Sequence, residues 1–61
     1  MNKGGYNMRY RVAILTDKGT LGENFKTKEQ AENWLLDCMN KEDIKQYRIW
    51  DKIENKIVDK G

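Results

Sequence analysis

Met8-Arg9-Tyr10-Arg11-Val12-Ala13-Ile14-Leu15-Thr16 alternates between two kinds of side chain. Met8, Tyr10, Val12 and Ile14 fall on one side, Arg9, Arg11, Ala13 and Leu15 on the other. A period of two is the signature of a strand with one dry face. Asp17-Lys18-Gly19 then supplies turn chemistry, because glycine provides the positive φ that a tight hairpin needs. Thr20 to Phe25 returns as a weaker second strand, in which the interior Gly22 points to a bulge or an edge.

Outward from this hairpin the period changes. Thr27-Lys28-Glu29-Gln30 has capping-box spacing, in which a threonine hydroxyl and a glutamine side chain satisfy free N–H groups at a helix start. Ala31, Trp34, Leu35, Cys38 and Met39 follow at i, i+3, i+4, i+7 and i+8 and form one apolar stripe, with Trp34 expected to lock helix to sheet. The helix should end between Asn40 and Asp43. Ile44 to Asp51 reads as a third strand, Tyr47 and Ile49 alternating against Gln46, Arg48 and Trp50. Asn55 is the expected left-handed turn residue, and Ile57-Val58 a short last strand. The order β-β-α-β-β defines an α+β fold, a small antiparallel sheet with one helix packed on one face, as a single domain over residues 8–61.

Arginines under a helix are costly, so the helix is expected over Tyr10, Val12, Ile14, Tyr47 and Ile49. The open face then carries Arg9, Arg11, Arg48, Gln46, Trp50, Ala13 and Leu15. Nine lysines scatter over turns and ends, whereas all three arginines, Arg9, Arg11 and Arg48, fall beside Trp50. A guanidinium binds carboxylate or phosphate as a planar fork and stacks on aromatic rings. The pattern therefore fits a protein interface, where Trp and Arg are typical hot spots, or nucleic acid, with Trp50 or Tyr6 stacking on bases. A third reading has the arginines merely covering the sheet, neutralised by cross-strand neighbours such as Glu23. Leu15 and Ile53 add exposed apolar area to the candidate binding set.

Composition narrows the classes further. A chain of 61 residues buries only about 60% of the surface its unfolded form exposes, so its core is marginal. One cysteine excludes an internal disulfide, and with no histidine neither a metal site nor another cofactor is expected. Oligomerisation is the remaining support for a small scaffold, and a homodimer is expected. No apolar run approaches the ~18 residues of a membrane span, which leads us to expect no membrane partner and a cytoplasmic location. The net charge of +2 is weak for a dedicated nucleic-acid domain. Cys38 reads as a small apolar residue in the helix stripe, and the carboxylate pairs Glu42-Asp43 and Asp51-Glu54 as solvated charges at element ends. No enzymatic constellation is present in the pattern. Residues 1–7 read as a leader: Lys3-Gly4-Gly5 can be encoded by a bacterial ribosome-binding sequence placed for initiation at Met8.

The segment from Phe25 through Thr27, Gln30 and Ala31 to Trp34-Leu35, preceded by Tyr10-Arg11-Val12, resembles the strand-to-helix passage of the arm-binding domains of phage-type integrases. It is also similar to the small N-terminal hybrid-binding domain of bacterial ribonuclease H. Both resemblances imply a sheet packed on one helix and DNA or RNA contact through the face of Arg9, Arg11 and Arg48. The aromatic and glycine residues of the ribonuclease domain's first loop are missing here. In size and style the chain also resembles small phage-encoded inhibitors of host proteins, which implies a host-protein partner. Docking on a host macromolecule is thus the first expectation, DNA or RNA binding the alternative.

Overall fold

The computed structural model describes residues 8–61, so the expected leader and Tyr6 lie outside the described residues. Strand β1 (Tyr10–Thr16) pairs antiparallel with β2 (Gly19–Phe25) in unbroken register from Tyr10 opposite Phe25 to Thr16 opposite Gly19. Gly19 has φ +127°, as the turn requires. The buried Thr16 hydroxyl holds that turn from inside, donating to the Gly19 carbonyl at 3.0 Å and accepting from the Lys18 N–H at 3.1 Å.

Helix α1 (Lys28–Lys41) begins where its capping chemistry lies. The Gln30 N–H donates to Thr27 Oγ1 at 3.1 Å, while Gln30 Oε1 accepts from the Lys26 N–H at 3.2 Å, one residue earlier than an ideal capping box. At the other end the Glu42 N–H donates to the Cys38 carbonyl at 2.7 Å and Glu42 turns extended. Strand β3 (Ile44–Asp51) follows, and β4 (Lys56–Lys60) is reached through a turn in which Asn55 has φ 58°.

The sheet order is β2-β1-β3-β4, all antiparallel. Gly22 is therefore on an edge strand, in regular register. Irregularities fall elsewhere, between Leu15 and Thr16 in the β1–β3 pair and between Ile49 and Trp50 in the β3–β4 pair. The helix covers the expected face. Val12, Ile14 and Ile49 from the sheet meet Ala31 and Leu35 from α1, and these five residues are the buried apolar core. Tyr10, Phe25, Trp34, Cys38, Ile44, Tyr47 and Val58 pack around it half-buried, Trp34 tilted against Phe25 with ring centroids 5.7 Å apart. Met39, expected in the stripe, is exposed instead: it lies at the β3 end of the helix, beside a surface depression shared with Ile44 and Tyr47.

A fold of this length carries roughly 3–9 kcal/mol of stability in total. Ile49→Ala truncates a fully buried side chain and should cost about 2–5 kcal/mol, and Trp34→Ala, which is half-buried, about 3 kcal/mol. Leu36→Ala, at a position 58% exposed, should cost less than about 0.5 kcal/mol. Urea denaturation followed by circular dichroism should therefore show the midpoint of Ile49→Ala far below wild type and that of Leu36→Ala close to it.

Candidate docking face

Side chains on the face away from α1 form rows across the strands, because opposed residues in an antiparallel sheet share a face. One row is Asn24, Arg11, Trp50 and Ile57; the next is Gly22, Ala13, Arg48 and Lys60; the third is Thr20, Leu15 and Gln46. Two small residues, Gly22 and Ala13, lower the middle of this surface. Leu15, Thr20, Gln46 and Arg48 border a shallow depression of about 280 Å³ over Ala13.

Arg11 uses the space that glycine leaves. A Cβ at position 22 would stand 2.6 Å from Arg11 Nη2, so the guanidinium lies over Gly22, with Nη1 donating to Asn24 Oδ1 at 3.4 Å. Trp50 is half-buried between Arg11 and Ile57. Arg48 is exposed, opposite Ala13 on one side and Lys60 on the other. Among the described residues no carboxylate occupies a position in these rows. Glu23, expected to neutralise the arginines, is opposite Val12 and so belongs to the helix side, where its carboxylate accepts from the Asn24 N–H. Asp59 is opposite the buried Ile49, and Asp17 is engaged with Lys45 at 3.0 Å.

Arg9 is not part of the face. The expectation that all three arginines lie together is corrected here, because Arg9 precedes β1 and closes on Asp51. Its Nε donates to Asp51 Oδ1 at 2.9 Å and its Nη2 to Oδ2 at 2.8 Å, a two-pronged ion pair set over the Tyr10 ring at 5.3 Å. Asp51 Oδ1 also accepts from the N–H groups of Ile53 at 3.0 Å and Glu54 at 3.1 Å. The Arg9 carbonyl accepts from the Lys52 N–H at 2.9 Å, so side chain and backbone clamp the β3–β4 turn together. Asp51 is only 2% exposed, where the sequence suggested a solvated end charge. Its place after Tyr47 and Ile49 on the inner alternation was the available signal. Ile53 sits in this turn, 58% exposed, at the end of the sheet and not in the rows. Of the expected binding residues, then, Arg11, Arg48, Trp50 and Leu15 share one surface, while Arg9 and Ile53 belong to the clamp. Lys60 and Ile57 join the surface through the β4 register, which the sequence did not reveal.

Cys38 is half-buried on the helix. Burial, and then the neighbouring Asp37, push the Cys38 thiol up, against a smaller lowering by Lys41. Among the described residues no three histidine, cysteine or acidic side chains cluster as metal ligands, and no helix is long and apolar enough to cross a membrane. No protein-family model, curated protein or solved structure matches the chain.

The Arg9 hydrogen bonds, helped by the Glu54 and Ile53 N–H groups and opposed by burial, lower the Asp51 carboxyl from 3.8 to about 2. Between those values the unfolded chain binds more protons than the folded one. The stabilisation is therefore complete above the unfolded value and lost as pH falls toward the folded one. Urea midpoints measured from about pH 5 downward should fall in the wild type. Asp51→Asn should be less stable at neutral pH and show a flatter decline.

Proposed function

We propose that this chain is a non-enzymatic binding protein that docks through its uncovered sheet face on a macromolecular partner and so inhibits or regulates it. The observation that carries the reading is the composition of the face. Arg11, Arg48 and Lys60 surround Trp50 and Ile57, with no acidic side chain in the same rows. Ten acidic residues nearly balance the chain's twelve basic ones, yet the described carboxylates lie in the helix, the turns and the helix side of the sheet. Such a surface attracts an anionic partner over a distance and rejects cationic ones, since like charges brought together at an interface are costly.

The partner we assign is a host protein with an acidic patch, of the defence or nucleic-acid-processing kind, met in the cytoplasm. Trp50 serves as the anchor, because a half-buried tryptophan on a flat face gains apolar contact at little cost in side-chain entropy, and arginine beside it offers the planar fork that carboxylates accept. The same absence of carboxylates favours one second reading, DNA or RNA binding, with Trp50 under a base and Arg11 and Arg48 on phosphates. The two differ in their response to salt. Phosphate contacts release counterions, so each one lost reduces the slope of log K against log salt by about one, whereas contacts centred on Trp50 change little.

Nuclease-treated pull-down from host lysate, read by mass spectrometry, separates these outcomes. The wild type should retain a specific protein that Arg11→Ala/Arg48→Ala and Trp50→Ala each lose, with affinity falling at least about thirtyfold for Trp50→Ala. Circular dichroism should show both variants folded. Retention of nucleic acid alone, with binding abolished by nuclease, would establish the second reading instead. Unchanged capture by both variants would exclude this face.

A further inference from the structure

The two edges of the sheet differ in a way that selects one of them for assembly. Strand β4 is short and irregular: it spans five residues, begins and ends with lysine, and shifts register against β3 between Ile49 and Trp50. Shortness, lysines and bulges are the devices by which sheet edges resist further pairing. Strand β2 has none of them. It runs seven residues in regular register with β1, contains no proline or lysine, and has no strand on its outer side among the described residues. Leu21, one residue before its middle, is 46% exposed on the helix side, although its register partner Ile14 is buried.

We propose that a second copy of this chain docks along β2, antiparallel and two-fold symmetric, with Leu21 opposite Leu21 of the second copy, to give one continuous eight-stranded sheet. A two-fold axis perpendicular to the sheet keeps both helices on the same side. Opposed residues then share a face, and the axis passes through a residue facing itself. Five such registers centre within two residues of Gly22, the middle of β2. Centring on Thr20 or Asn24 pairs only three strand residues of each copy, centring on Gly22 opposes the exposed Leu21 to Glu23, and centring on Glu23 sets that residue against itself. Like charges directly opposite destabilise a pair. Centring on Leu21 opposes leucine to leucine, Gly22 to Thr20 and Glu23 to Gly19, with no like charges facing.

The marginal core gives such an assembly a reason, since five buried apolar residues leave Leu21 in water. Pairing also joins the two open faces. Arg11 lies over Gly22, beside the seam, so both copies of Arg11 and of Arg48 come to one surface twice as wide. The dimer is independent of which partner that surface binds.

Sedimentation equilibrium of the full chain tests this directly. The wild type should show twice the 7.3 kDa chain mass, and Leu21→Lys, folded by circular dichroism, should return to the single mass. A Leu21→Cys variant in a Cys38→Ala background should form a disulfide-linked dimer on mild oxidation, whereas Ile53→Cys in the same background should not. A wild type that stays monomeric at the highest soluble concentration overturns the proposal. So does a dimer that survives Leu21→Lys and is not trapped through position 21.

Discussion

Among the described residues one helix of fourteen residues covers a four-stranded sheet, so one face is dry and the other is not. Val12, Ile14 and Ile49 are central because they alternate onto the side where Ala31 and Leu35 bring α1 closest. All else follows from that contact. The two inner strands are pinned by it, the outer strands hang from them by hydrogen bonds, and every residue of opposite parity on β1 and β3 is turned toward solvent. Function has room on that face because no described element packs on it.

Charge is distributed to match. A buried carboxylate would ordinarily be a liability, yet Asp51 is tolerated because Arg9 and two backbone N–H groups fill its lone pairs. The clamp closes the sheet at the end opposite the β1–β2 turn and fixes the entry to β4. It also removes one arginine from the open face. What remains there is a smaller, more concentrated set, Arg11, Arg48 and Lys60 about Trp50, with the neutral Asn24, Thr20 and Gln46 as rim. A modest overall charge thus conceals a polarised molecule.

Glycine 22 connects local sequence to this surface. In a strand interior it weakens β2 by offering no side chain to pack, and an edge is where such weakness costs least. The vacancy is filled by the Arg11 guanidinium, which lies flat across the sheet toward Asn24. The same edge position leaves the outer side of β2 open to another strand, so one feature serves both the binding surface and the proposed assembly.

Element order, the two helix ends, both turn residues and the inward face of the sheet were legible from the sequence, because each depends on spacing within a few residues. Period two marks Tyr10 to Ile14 and Tyr47 to Ile49, capping chemistry marks Thr27, and only a residue such as Asn55 takes the left-handed turn readily. Trp50, Arg11, Arg48 and Leu15 were placed on one face by the same alternation. Beyond that reach the tertiary structure decided. Arg9 meets Asp51 forty-two residues away, Lys60 and Ile57 reach the face through an irregular β4 register, and Met39 falls outside a core to which the helix gives only Ala31 and Leu35. None of these follows from periodicity, because each depends on where separate elements stop against one another, and that is set by packing in three dimensions.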